Sequence, residues 1–137
     1  MSERLYPIDP KNIKHIELID EYAKEQGYST PIGTIKNKEI EDNDISLELV
    51  LEENKKVKDI CHIQGVKDIK QCTISFRNKK AKKRKIIPLA TTYALEVLGM
   101  EEVFINAQKD DKNMLEYLTN NDYECLGDER GNIVFLK

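Results

Sequence analysis

The residues of this 137-residue chain that could do chemistry begin with a basic run. Between Arg77 and Lys85 the sequence RNKKAKKRK places seven basic side chains in nine positions. Without those seven, 15 Lys and Arg stand against 25 Asp and Glu, so a +7 segment sits in a body near −10. That contrast concentrates positive potential in one segment and makes an anion its natural ligand. His62 lies in a strand-like stretch, and histidine is the side-chain type suited to proton transfer near neutral pH. Cys61, Cys72 and Cys125 contain no Cys-x-x-Cys pair, are odd in number, and lack zinc spacing with His62. Neither a disulfide framework nor a metal site is expected.

The elements that must position these groups fit one domain spanning residues 1–137, with no repeat or linker dividing it. Apolar runs are far shorter than the ~20 residues of a membrane span. Met1-Ser2-Glu3-Arg4 precedes no apolar signal core, so a cytoplasmic protein without membrane contact is expected. Leu5 to Ile8 reads as a first strand. Asp9 and Pro10 supply a cap and first turn for a helix with Ile13, Ile16, Ile19 and Ala23 on one face, stopped by Gly27. Residues 29–44 read as an irregular connection with one short helix. Ile45, Leu47, Leu49 and Leu51 alternate with polar residues. A turn at Asn54-Lys55-Lys56, a strand from Val57 to Ile63, a turn beginning at Gly65 and a strand from Ile69 to Phe76 complete an antiparallel meander.

After the basic run the period becomes helical. Ile86, Leu89/Ala90, Tyr93/Ala94 and Val97/Leu98 recur at helix spacing and predict a helix over 86–98 packed by Leu89, Tyr93 and Val97, begun near Arg84 and ended by Gly99. A strand at Val103–Ala107, a helix at Lys112–Thr119 and a hairpin of Tyr123–Leu126 with Ile133–Leu136 follow. The fold class is mixed α/β (α+β), a meander followed by β-loop-α-β-α-β-hairpin.

This order resembles the GNAT acyltransferase superfamily, carried by ISFRNKKAKKRKIIPLATTYALEVLGMEEVFINA and KNMLEYLTNNDYECLG over about 80 residues from Val57 to Lys137. The resemblance implies that Lys79-Lys80-Ala81-Lys82-Lys83-Arg84 is the loop holding the pyrophosphate of acetyl-CoA or CoA at a helix N-terminus. Lys82 and Arg84 stand where the family has glycines. They either obstruct the pyrophosphate or replace close backbone approach by charge. It further implies that the strands Cys72–Phe76 and Val103–Ala107 splay, with Ile74 and Phe76 offering backbone groups to the pantetheine arm. Asn106 joins the cofactor set from the second strand.

Acetyl transfer by direct attack needs a base for the amine and an acid for the departing thiolate. The family's acid is often a tyrosine on the last helix. Aligning Asp122-Tyr123 with its Gly-Phe pair puts Leu118 there, with Tyr117 one residue early. Tyr117 is therefore the candidate acid and His62 the candidate base, with Glu124 or Asp68 acting through water as alternatives to His62. Cys72 falls near the expected acyl position, where a small buried hydrophobe is its plainer role. The function implied is an acetyl-CoA-dependent N-acetyltransferase with a small-molecule or peptide amine acceptor. The alternative is a degenerate, noncatalytic binder whose basic loop 77–85 meets CoA, nucleic acid or an acidic partner. Nucleic acid is disfavoured, because the body is acidic and no aromatic cluster interleaves the lysines. A homodimer is left open.

Overall fold

The computed structural model describes residues 3–9, 11–26, 44–76, 85–129 and 132–137. The expected connection at 29–44, apart from Asp44, and the loop from Lys79 to Arg84 lie outside the described residues. Among the described residues seven strands form one mixed sheet: β1 (Glu3–Pro7), β2 (Asp44–Glu53), β3 (Lys56–Val66), β4 (Gln71–Phe76), β5 (Glu102–Gln108), β6 (Glu124–Glu129) and β7 (Asn132–Leu136). Their order is β1-β2-β3-β4-β5-β7-β6, and every neighbouring pair is antiparallel except β4 with β5. The helices are α1 (Ile13–Gln26), α2 (Ile86–Thr92, running on into a π turn, Tyr93–Val97) and α3 (Lys112–Asn120). No described helix is long and apolar enough to cross a membrane.

The expected class, a mixed α/β fold with a meander, helix, strand, helix and hairpin, is the one observed. Period-two alternation places Leu49, Cys61, Ile63, Ile74 and Ile105 on one face, packed with Ile86, Ala90 and Ala94 of α2 and Met114 and Leu118 of α3. On the other face Ile19 and Tyr22 of α1 meet Val50, Val57 and Ile60. The β2–β3 hairpin turns on Asn54 (φ 54°) and Lys55 (φ 65°), the left-handed pair that matches the strands' twist.

Four local expectations are corrected. Asn12, not Asp9, caps α1: its Oδ1 accepts from the N–H groups of Lys14 (3.0 Å) and His15 (3.4 Å), while Asp9 closes the preceding turn onto Lys11. Ile13 is consequently left exposed. Gly65 is not in a turn but in β3, opposite Cys72, and the turn falls at Lys67–Lys70. A Cβ on Gly65 would collide with the Gln71 carbonyl oxygen and lie 2.7 Å from Cys72 Cβ, so glycine here permits close strand approach. Ile69 lies in that turn and is exposed.

The stripe of α2 also differs. Ile86, Ile87, Ala90, Thr91 and Ala94 are buried, Leu89 and Tyr93 are half-buried, and Val97 is 64% exposed. At Val97 the cause is the π turn, in which the Leu98 N–H donates to the Tyr93 carbonyl (3.1 Å). Its wider turn rotates the following side chains off the α-helical stripe.

Candidate active site

β4 and β5 pair in parallel from Gln71/Glu102 to Ile74/Ile105. Beyond that rung each strand follows its outer neighbour. β4 continues through Ser75 and Phe76, laddered to His62 and Cys61 of β3. β5 continues through Asn106 to Gln108, laddered to Val134, Ile133 and Asn132 of β7. Among the described residues the sheet is therefore split past Ile74 and Ile105. Because Ile74 and Ile105 point into the α2/α3 core, Thr73, Phe104 and Asn106 point to the opposite face. There they line a cleft of about 550 Å³ together with Val134 of β7 and Leu126, Gly127 and Asp128 of β6. At its rim the ammonium of Lys109 donates to Asp128 (2.8 Å), a hydrogen bond that raises the lysine's pKa and holds it charged.

His62 shares the cleft's face, since its neighbours Cys61 and Ile63 belong to the α2/α3 core. It stands directly opposite Ser75, the first β4 residue past the last β4–β5 rung. The base candidate is thus level with the mouth of the split and one strand in from it. On its other side His62 faces Glu48 of β2, with Nδ1 3.0 Å from Glu48 Oε1. Its Nε2 lies 3.5 Å from the Ser46 hydroxyl. The side chain of Glu48 is only 3% exposed and that of His62 18%.

This juxtaposition depends on a bulge. Val57 pairs with Glu52 but Asp59 pairs with Leu51, leaving Lys58 as an extra residue in β3. From there on the register is advanced by one, and His62 rather than Cys61 meets Glu48.

Tyr117 lies across the sheet from His62. It is half-buried on α3 and packs against the α2/α3 core, while Leu118 is fully buried there. Asp111 begins this helix, its Oδ1 accepting from the Met114 N–H (3.2 Å). Nearby, the hydroxyls of Tyr123 and Thr91 lie 3.0 Å apart, and burial raises the Tyr123 pKa. Cys72 is buried in the same core, and that burial pushes its thiol up to about 11. It therefore stays protonated near neutrality and acts as a small hydrophobe.

The structure brings Ile74, Phe76 and Asn106 together around the split and His62 beside it. Asp68 is in the turn before β4, and Gln71 to Ser75 alone spans ~13 Å of strand, which removes Asp68 from the site. Glu124 is exposed on the edge strand β6 and does not line the cleft. Sequence reasoning missed Glu48, Ser46, Thr73, Ser75 and Phe104. Glu48 and Ser46 carry a signal only once the bulged register of β2 and β3 is known.

A mixed sheet opened between two parallel strands, with helices on both faces, is the fold of the GNAT N-acetyltransferases, and the whole chain superposes on them. The N-acetyltransferase PseH of Campylobacter jejuni, solved with acetyl coenzyme A, matches with a TM-score of 0.69 at 12% identity, covering 99% of this chain and 98% of that one. The PaiA N-acetyltransferase of Thermoplasma acidophilum, solved with coenzyme A, gives 0.61 at 10% identity over 100% and 99%. A chimera of the spermidine N-acetyltransferase SpeG from Vibrio cholerae gives 0.67 at 14% identity over 99% and 93%. No family model and no curated protein matches the chain.

Proposed function

We propose that the chain is an acetyl-CoA-dependent N-acetyltransferase that acts on a small-molecule or peptide amine by direct attack. The observation that carries this reading is the split between β4 and β5 beyond Ile74 and Ile105. Strands that part in this way leave a place where an extended pantetheine arm can lie as an added strand, next to Ile74 and Phe76 on one side and Asn106 on the other. Bound there, acetyl-CoA supplies an activated acetyl thioester, and Lys79, Lys80, Ala81, Lys82, Lys83 and Arg84 hold its phosphates. The amine enters from the cleft face. His62 takes its proton there, and Tyr117 on the opposite face protonates the departing sulfur. That acid and base sit on opposite faces suits a reaction that runs through the opening.

Calorimetric titration with acetyl-CoA and with CoA tests the binding step. Binding is expected, and it should weaken as salt rises because charge contributes to it. Acetyl transfer to a panel of polyamines, amino acids and peptide N-termini tests the chemistry. The second reading, a noncatalytic binder, is favoured by Lys82 and Arg84 at the positions of the family's glycines. Absence of binding at millimolar CoA would put that reading ahead.

Tyr117→Phe removes only the hydroxyl from a half-buried ring. We expect kcat to fall by roughly 10²–10⁴-fold with acetyl-CoA affinity unchanged. Unchanged kcat would assign that proton to water.

A further inference from the structure

We infer that Glu48 is a positioning residue for His62, fixing the imidazole in the tautomer that carries its hydrogen on Nδ1 and presents a lone pair at Nε2. The catalytic consequence rests on the proposed acetyl transfer; the tautomer itself does not.

The inference begins with three side chains on one face of β2 and β3. Glu48 and His62 are direct cross-strand partners, and Ser46 is two residues along β2 from Glu48. A carboxylate can only accept, so at 3.0 Å from Glu48 Oε1 the neutral imidazole must carry its hydrogen on Nδ1. The other nitrogen then has no hydrogen and can only accept. The hydroxyl 3.5 Å from Nε2 is in place to donate to it. Glu48 lies at 4% exposure and the Nδ1 contact joins two paired strands, so the ring is held by backbone register as well as by the hydrogen bond.

Both ring nitrogens face side chains of β2, Nδ1 the carboxylate of Glu48 and Nε2 the hydroxyl of Ser46, while the β4 neighbour of His62 is Ser75, at the mouth of the split. An amine arriving from that mouth takes the place of the Ser46 hydroxyl at the Nε2 lone pair, which the tautomer keeps ready for it. In the proposed step the amine's lone pair forms the bond to the acetyl carbon as its N–H proton passes to Nε2, and the electrons of that N–H bond stay on nitrogen. The C–S bond breaks, and the departing sulfur takes its proton from Tyr117. An imidazole with its hydrogen on Nε2 would meet the amine donor to donor and could not begin this sequence.

The test is a long-range proton–nitrogen correlation spectrum of isotope-labelled protein at mildly alkaline pH, which distinguishes the two tautomers directly. The chain has two histidines, and the signal lost in His62→Gln identifies the one concerned. The expected result is a hydrogen on Nδ1 and an unprotonated Nε2. In Glu48→Gln the hydrogen should move to Nε2 or be shared between the nitrogens. For the same variant kcat should drop at least ~10-fold, below the full effect of losing a placed base, with acetyl-CoA KM unchanged. Glu48→Asp, which keeps a carboxylate, should retain the Nδ1–H form. An Nε2–H tautomer in the unaltered protein overturns the inference without recourse to any variant, so misfolding of Glu48→Gln cannot shelter it. A shifted tautomer with kcat intact removes the positioning role. An Nδ1–H tautomer in a protein that acetylates no amine supports the role assigned to Glu48 in setting the tautomer while defeating the proposed reaction.

Discussion

Replacing His62 by glutamine is expected to lower acetyl transfer by roughly 10²–10⁴-fold, the share of rate that a placed proton acceptor commonly supplies. Acetyl-CoA affinity should stay as it is, because His62 occupies the cleft face and Tyr117 the opposite one. Glutamine suits the test physically. Its amide N–H can still donate to Glu48, so the buried carboxylate keeps a partner. Its amide has no basic nitrogen, so the proton from the amine has nowhere to go. Steady-state kinetics with the best acceptor, beside calorimetry with acetyl-CoA, separate the two effects. Full activity in the variant would assign the base to solvent.

The largest effect on stability is expected one residue from the acid candidate. Leu118→Ala should cost about 2–5 kcal/mol, the range for truncating a fully buried leucine in a core that relaxes only in part. Leu118 has no exposed surface and packs in the main core on the α2/α3 side. Urea unfolding should show a lower midpoint with an unchanged slope. Tyr117→Phe should leave the midpoint nearly in place, because the ring and its packing remain. Adjacent helical residues point about 100° apart, so one change reads the core and the other reads the site. Loss of stability in both variants would mean that the Tyr117 hydroxyl is structural.

The strands were legible wherever one face is apolar and the other polar, as in Ile45 to Leu51, and the hairpin turn was legible from Asn54 and Lys55. The caps and the stripe of α2 were less so. Asn12 and Asp9 offer the same kind of side-chain acceptor three residues apart, and only tertiary packing decides which one starts α1. Val97 lies on the apolar face of an ideal helix, but the π turn at Tyr93 changes the spacing that the pattern assumes. Glu48 was hidden for a different reason. Alternation assigns it to a water-facing side, yet α1 covers that side of β2 elsewhere and the glutamate is buried. His62 was legible as a chemical group from its type alone, while its partner depended on register, which local pattern does not encode.

Lys58 gives β3 something like a reading frame. Before it, Val57 faces α1; after it, Ile60 does, three residues on, so the parity that selects a face is switched between them. The switch is held locally, with the carboxylate of Asp59 accepting from the N–H of Ile60 at 2.9 Å. The side chain of Lys58 is exposed, so its identity matters little. What matters is that the bulge lets it drop out of the count. Were Lys58 to take a rung opposite Leu51, Cys61 would meet Glu48, and His62 would turn into the apolar core with Ile74 and Ile105. Its removal would leave the frame intact, with Val57 opposite Glu52, Asp59 opposite Leu51 and His62 still opposite Glu48. The candidate base thus owes its side of the sheet to a residue that is skipped rather than to one of a given type.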